Sequence, residues 1–196
     1  MAWQERRYAV IPRREVEASR LAAIDAAELE AADEAGYLAG NAMFQDLSGF
    51  SWDDAAEAVA GEARLIARLT KAVDLEAEAA AVEEERGEAF EDVEALWNLD
   101  VGVIGATIAL SALGCAPVGS CNAGGFGGHH QAQHPYVAFY MPAHVTAEVE
   151  ALAAAAGLGL IIDPDGLAQL YADRDLGLIR FSECALERHG SAPGAI

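Results

Sequence analysis

A chain of 196 residues carries 32 acidic against 12 basic side chains, which gives a formal net charge of −20 at pH 7. Such a charge argues against general affinity for DNA or RNA, because a protein must bring positive charge to displace the counterions of the phosphates. It also disfavours binding to anionic membrane surfaces. Basic partner surfaces, in contrast, are steered toward a protein of this charge. The length fits one domain, or one domain with a helical extension.

The cysteine count and the N-terminal sequence predict a cytoplasmic location. Three cysteines, at positions 115, 121 and 184, form an odd set, and the first residues carry charge without the apolar stretch of a secretory signal. Reduced thiols are the simplest interpretation. The most apolar run, residues 101–113, is shorter than the ~20 residues that span a bilayer, so it is predicted to be a buried helix.

The first half of the chain is predicted to be mainly helical. Residues 8–11 are either a short edge strand or an extended arm, and a helix is expected from Arg14 to a stop at Gly36. Residues 37–50 form a connection. Ser51 caps a second helix, whose apolar positions recur every three or four residues up to about Val82. A further short helix is expected after residue 87.

Acidic residues dominate this helical half. Between Asp25 and Asp100 there are 21 acids against four basic residues, namely Arg64, Arg68, Lys71 and Arg86. The plainest interpretation is a solvated polar face on each helix. The alternative is an acidic surface that docks a basic partner or mimics the phosphates of a nucleic acid.

The second half is predicted to contain a buried helix and a small sheet. Asp100 is expected to cap the helix at 101–113, and Gly114 is expected to end it. Strands are predicted at 117–121, 136–141, 158–162 and 178–181, with 167–171 either a strand or a short helix. Between them, residues 146–156 are predicted to be a helix stopped by Gly157, and residues 163–166 a turn.

These elements predict an α+β fold. An N-terminal acidic helical layer is expected to pack on a small mixed or antiparallel sheet with one or two covering helices. The acidic helical region covers residues 1–98, and the α/β region with a Gly/His-rich loop covers residues 99–189. Together they are expected to form one compact unit, followed by a frayed tail at 190–196.

The stretch richest in chemically active side chains is the loop at residues 120–134. Four of the five positions 124–128 are glycine, and three of the five histidines of the chain follow at 129, 130 and 134. A simple hairpin needs only a short connection. The extra length indicates that this loop holds a ligand or moves.

One hypothesis for the loop is a nucleophilic cysteine. Cys121 ends a predicted strand, and a histidine could deprotonate it, with His130 as the first choice. Asn122 and the glycine N–H groups would stabilise an oxyanion, and Asp163 or Asp165 would orient the base. The alternative is that Cys121 is a small buried apolar residue.

A second hypothesis is a metal site, and zinc is the cofactor that its ligands suit. The ligands would be Cys121, His129, His130 and His134. Their spacing matches no zinc-finger or metalloprotease pattern, so ordinary surface histidines are the alternative.

A third hypothesis is an anion cradle built from the glycine N–H groups, although the sequence lacks the Gly-Lys-Ser/Thr ending of a phosphate-binding loop.

Taken together, the sequence favours an acidic intracellular binding or accessory protein. It would engage another protein, with basic partners as one possibility, through its helical surface and the 120–134 loop. The alternative is a Cys/His-dependent enzyme, a hydrolase or transferase, or a metal-binding protein centred on Cys121. Neither nucleic acid nor membrane is an expected partner, and a homodimer is one open possibility for the oligomeric state.

Overall fold

The computed structural model describes residues 3–88, 99–127 and 132–190. Its fold is α+β, as predicted, with a five-stranded mixed sheet and six α-helices in these ranges. The helices are α1 Ala26–Ala35, α2 Trp52–Lys71, α3 Leu75–Glu88, α4 Ile104–Ala112, α5 Thr146–Ala156 and α6 Gly177–His189. The strands are β1 Arg14–Glu15, β2 Ala116–Cys121, β3 Tyr136–Tyr140, β4 Gly159–Ile162 and β5 Ala168–Tyr171.

The strand order places β2 at an edge of the sheet. The order is β1-β4-β5-β3-β2, in which β1 runs parallel to β4 and all other neighbours are antiparallel. The pairing of β2 with β3 is interrupted between Pro117 and Gly119, so Val118 is the extra residue of a bulge. The order therefore gives β2 a strand neighbour on one side only.

One face of the sheet is covered by helices α4, α5 and α6. Its core is built from alternate residues of the strands, including Val137 and Phe139 of β3, which are fully buried. Leu152 of α5 and Phe181 of α6 pack into the same cluster. The alternation follows from the strand geometry, in which successive side chains point to opposite faces.

The other face of the sheet is covered in part by the N-terminal half. Leu29 of α1 and Phe44 of the following connection pack against Ala116 of β2, with Tyr140 of β3 beside them. Part of this second face, next to the edge strand β2, is left uncovered.

The prediction of a helix from Arg14 is wrong at its start. Arg14 and Glu15 form strand β1, and the helix begins only after Asp25. Asp25 and Glu28 form a reciprocal capping box, in which each side chain accepts from the backbone N–H of the other. This local bonding fixes the start of the helix more strongly than the apolar spacing upstream. Gly36 ends it, as predicted, with φ of 63°.

The predicted helix from Ser51 to Val82 is two helices. Ser51 caps α2 as predicted, but Ala72 is extended and Asp74 starts α3, accepting a hydrogen bond from the Glu78 N–H through its carbonyl. Arg68 of α2 is paired with Glu78 and Glu85 of α3, which holds the two helices together. The short helix expected after residue 87 falls largely outside the described residues.

Helix α4 begins three residues later than predicted, and Asp100 does not cap it. The carboxylate of Asp100 accepts a hydrogen bond from the Asn122 N–H at 3.0 Å. Glu62 of α2, which is 2% exposed, accepts instead from the N–H groups of Gly102, Ile104 and Gly105. The cap therefore comes from a distant element rather than from the adjacent sequence.

The predicted strand at 178–181 is wrong, because these residues belong to α6. Leu178, Phe181 and Ala185 are buried at steps of three and four residues, which is a helical period. Three apolar residues within a four-residue segment cannot distinguish a strand from a helix. The strands at 117–121, 136–141 and 158–162, the helix at 146–156 and the turn at 163–166 are confirmed. Within 167–171, Ala168–Tyr171 is a strand, and residues 8–11 form the extended arm of the two alternatives.

None of the helices in the described ranges combines the length and the apolar character that crossing a membrane requires. The predicted frayed tail lies outside the described residues except for Gly190.

Candidate functional site

The loop that follows β2 is held in shape by Asn122. Its Nδ2 donates to the Val101 carbonyl at 2.9 Å, and its Oδ1 accepts from the Gly124 N–H at 2.6 Å. Asn122 is only 4% exposed. Because Oδ1 and one N–H of Nδ2 are engaged in this way, the Asn122 amide supports the turn.

The N-terminal arm packs across the described part of this loop. Trp3 Nε1 donates to the Gly125 carbonyl at 3.0 Å, and the Trp3 ring stacks on Phe126 with 5.6 Å between ring centroids. Arg6 Nη2 donates to the Ala123 carbonyl at 3.1 Å. Residues 123–126 are therefore tied to the start of the chain.

A buried carboxylate anchors this arm. Asp175 accepts from the Arg6 N–H at 2.7 Å and from the Tyr8 hydroxyl at 2.6 Å, and its side chain is fully buried. Burial, together with the Asp175 carboxylate, raises the pKa of Tyr8 well above its ordinary value. A Cβ added at Gly125 would collide with the Asp175 carboxylate, so this position needs glycine.

The described glycine N–H groups of the loop have partners inside the loop. Gly124 donates to Asn122 Oδ1, Gly125 donates to the Asn122 carbonyl and Gly127 donates to the Gly124 carbonyl. They do not converge on an open position, so these residues give no support to the anion cradle.

Cys121 is a buried thiol in the wall of a pocket. It is 7% exposed, and its Sγ accepts from the Ala123 N–H at 3.3 Å. Burial raises the pKa of the Cys121 thiol, the negative charge of Asp100 raises it further, and the N–H groups of Ala123 and Ala132 oppose this. The thiolate, which is the reactive form, is thus disfavoured at neutral pH.

His134 lines the same pocket, which has a volume of about 490 Å³. Its ring lies 5.2 Å from the ring of Tyr171, and burial lowers the pKa of its imidazole. Among the described residues no hydrogen bond joins His134 to Cys121. His129 and His130 lie outside the described residues, so the Cys121–His130 pair and the four-ligand metal site remain predictions.

Of the two carboxylates predicted to orient the base, that of Asp163 is engaged by local structure. Asp163 Oδ1 accepts from the N–H groups of Asp165 and Leu167, both at 2.9 Å, which closes their own turn. Within the described ranges, no group of three or more His, Cys, Asp or Glu side chains is arranged to hold a metal ion.

A second cavity, the edge cleft, follows the free edge of β2 and has a volume of about 520 Å³. It adjoins the Cys121 pocket, because Tyr136 and Gln169 line both. The described residues that line the edge cleft are Ala39, Gly40, Asn41, Met43, Gln45, Leu47, Leu99, Thr107, Pro117, Val118, Gly119, Ser120, Tyr136, Ala138, Asp163, Leu167 and Gln169.

The lining of the edge cleft is rich in hydrogen-bonding groups and poor in charge. Amides and hydroxyls come from Gln45, Ser120, Tyr136 and Gln169, and Met43, which is 66% exposed, adds an apolar contact surface. Among its described residues there is one carboxylate, Asp163, and no Lys, Arg or His. Such a lining suits a neutral or cationic ligand better than an anionic one.

One residue of the edge cleft has a strained backbone. In the described part of the chain, positive φ outside glycine occurs at Ala39, with 47°, and at Ala123, with 54°. Ala39 lines the edge cleft, and Ala123 lies two residues after Cys121. Strained residues of this kind concentrate at functional sites, because the surrounding structure must hold them against a cost of about 1–3 kcal/mol each.

The wall of the edge cleft opposite β2 was not predicted from the sequence. Asn41 follows Gly40 in a tight turn, in which Leu38 and Asn41 exchange backbone hydrogen bonds of 2.8 and 3.1 Å. A Gly-Asn pair is a recognisable turn signal, but nothing in the sequence indicates that this turn faces β2. Gln169 of β5 was detectable only as a polar residue between buried ones.

Comparison with protein families, with curated proteins and with solved structures gives no match to this chain.

Proposed function

We propose that this chain is a binding protein that takes a neutral or cationic ligand in the edge cleft. The observation that carries the proposal is the lining itself, which offers hydrogen-bonding groups on a rigid sheet and one carboxylate among its described residues. Its volume of about 520 Å³ lies within the range of small-molecule and peptide sites. The strained turn at Ala39 supports the same location.

The acidity of the helices favours a ligand that is neutral or cationic over one that is anionic. The formal net charge of −20 creates a field that attracts cations over distances comparable to the Debye length. In this proposal the helical surface raises the encounter rate with a basic partner, while the cleft and the adjoining loop make the specific contacts.

A Cys/His enzyme is the second candidate. The observation in its favour is that Cys121 and His134 line one pocket, which continues into the edge cleft. Against it, burial raises the pKa of Cys121 and lowers the pKa of His134, so neither group is poised to form a thiolate–imidazolium pair. Binding therefore ranks above catalysis.

Gly119 offers a direct test of binding in the cleft. A Cβ built at Gly119 meets no atom within 4 Å, and its φ is ordinary, so Gly119→Trp fills the cleft without straining the backbone. The matched control is Gly61→Trp on α2, where the new Cβ meets only the end of Arg64 at 3.7 Å. Gly61 does not line either cavity.

The measurement is a thermal-shift screen of the full chain with neutral and cationic fragments and short basic peptides, followed by calorimetric Kd values. We expect the hits to bind at least about tenfold more weakly to Gly119→Trp, equivalent to about 1.4 kcal/mol, and unchanged to Gly61→Trp. Hits that bind both variants equally would place the site elsewhere. A screen dominated by anionic ligands would contradict the proposed ligand charge.

A further inference from the structure

The edge cleft contacts β2 along its backbone edge rather than on one face. Pro117, Val118, Gly119 and Ser120 are consecutive, and all four line the cleft. The bulge at Val118 disturbs the alternation of side chains between the two faces, so the position of the cavity is read from its other lining residues. Thr107 belongs to α4, which covers one face of the sheet, and it lines the same cavity. The neighbouring strand β3 contributes the alternate residues Tyr136 and Ala138, so there the cavity lies on the opposite face of the sheet from α4. The cavity therefore passes around the free edge of β2.

A side-chain amide already occupies part of this edge. Asn41 Nδ2 donates to the Val118 carbonyl at 2.8 Å, across 77 residues of sequence. This is the bond that an N–H of an adjacent strand would give. Asn41 thus caps the bulge end of β2, and Asp100 accepts from the Asn122 N–H just beyond its other end. Between them, residues 119–121 border the two cavities without a second strand neighbour in the described structure.

From this geometry we infer that the ligand of the edge cleft is an extended peptide segment, neutral or basic, that adds to β2 as a further strand. The inference rests on the proposed function and specifies its ligand. In strand addition, main-chain hydrogen bonds supply affinity and pockets for alternate side chains supply specificity. Here the main-chain partners lie between Gly119 and Cys121, and the Cys121 pocket and the cleft around Met43 receive the side chains.

The sequence of β2 limits how far the added strand extends. Pro117 has no N–H, and the bulge at Val118 interrupts the regular hydrogen bonding of the strand. Both features normally protect the edge of a sheet from pairing with another strand. The pairing is therefore short, and the charge difference between partner and protein contributes to binding. The described lining contains Asp163 and no cationic side chain, which selects against acidic segments.

The test uses a displayed library of random decapeptides, selected on the full chain and counter-selected on Gly119→Trp. Enriched peptides are then synthesised with a single N-methyl group at each position in turn. Strand addition uses the N–H groups of every second peptide residue, so we expect losses of about tenfold at alternate positions and little change at those between. Net charge of the enriched peptides should be zero or positive.

Three outcomes overturn the inference, and they separate it from the proposed function. Peptides that tolerate N-methylation at all positions would bind the cleft through side chains alone, so the proposed function would stand and strand addition would fail. Fragments that bind the cleft while no decapeptide enriches would have the same meaning. Sedimentation that shows a dimer of wild type, lost in Gly119→Trp and kept in Gly61→Trp, would make a second copy of the chain the occupant.

Discussion

At two places in this molecule, backbone hydrogen-bonding groups lie outside the regular hydrogen-bond pattern of helices and sheets. At one place a side chain of the protein binds these groups, and at the other they border a cavity. At the start of α4, three N–H groups point at Glu62, whose Oε1 accepts at 2.8 and 2.9 Å and whose Oε2 accepts at 3.0 Å. At the free edge of β2, the backbone borders a cavity of about 520 Å³. The first set of groups is satisfied within the chain, and the second borders the cavity in which we propose that a ligand binds.

A glycine in each region shows the same contrast. At Gly105 an added Cβ would meet Glu62, Ser182 and Val59 at 2.9 Å each, so every neighbouring volume is already filled. At Gly119 an added Cβ would meet nothing within 4 Å. One glycine is required for close packing, and the other borders open space. The α4 junction is therefore closed by the protein's own groups, whereas the β2 edge has the open space that the proposed binding requires.

The largest expected effect is at the closed region. Glu62→Ala leaves three backbone N–H groups without their acceptor. Burial raises the pKa of Glu62, so these hydrogen bonds are what stabilise its charged form in the interior. We expect a loss of about 3–5 kcal/mol in the free energy of unfolding, because buried donors without partners carry their full desolvation cost. The measurement is urea denaturation followed by circular dichroism.

The matched control is Glu57→Ala, at an exposed position of the same helix. Surface changes of this kind usually stay within about 0.5 kcal/mol. If Glu62→Ala and Glu57→Ala had similar effects, the N-terminus of α4 would be solvated rather than capped, and the contrast between the two regions would fail.

A second prediction concerns the reactivity of Cys121 at the open region. Because burial raises the pKa of its thiol, Cys121 has less thiolate at a given pH than a free cysteine has. The rate of its alkylation should therefore increase only as the pH approaches the raised pKa. At pH 7 we expect iodoacetamide to label Cys121 several times more slowly than glutathione. Peptide mass spectrometry resolves it from the other two cysteines.

Cys115 is the internal control for that experiment, since burial raises its pKa to about 12 and leaves it 1% exposed. It should label more slowly than Cys121, and the two rates should converge in urea. Labelling of Cys121 faster than glutathione at pH 6–7 would show an activated thiolate. That result would place the Cys/His enzyme above the binding protein.

Local signals in the sequence predicted the elements whose ends are fixed by nearby residues. Ser51 caps α2 through bonds to Asp54, three residues on, and Gly36 and Gly157 end their helices with the left-handed conformation that glycine adopts easily. The turn at Asp163 closes on its own carboxylate. All these interactions lie within about five residues, which is the range that a sequence pattern reports.

The start of α4 and the edge cleft could not be predicted, because their partners are distant. Glu62 reaches Gly102 across 40 residues, and Asn41 reaches Val118 across 77. Glu62 occupies the buried stripe of α2, seven residues from both Ala55 and Leu69, and that position was the available clue. A carboxylate in such a stripe indicates a buried partner without indicating which one.

The smallest expected effect tests the strain at the edge cleft. Ala39 has φ of 47°, a conformation that costs an L-residue about 1–2 kcal/mol and glycine little. Glycine also has more freedom in the unfolded chain, which offsets part of the relief. We therefore expect Ala39→Gly to raise the free energy of unfolding by about 0.5–1 kcal/mol, measured by urea denaturation.

Ala42→Gly is the control, because Ala42 is exposed in the same connection and its φ is not positive. There the entropy of the unfolded chain acts alone, so the free energy of unfolding should fall by about 0.4–1 kcal/mol. The two substitutions should thus have opposite signs. If both substitutions destabilise the protein, Ala39 is not strained in solution, and the turn at Ala39 no longer supports a binding site at the edge cleft. If Ala39→Gly stabilises the fold but weakens ligand binding, the strained turn is part of what holds Asn41 against β2.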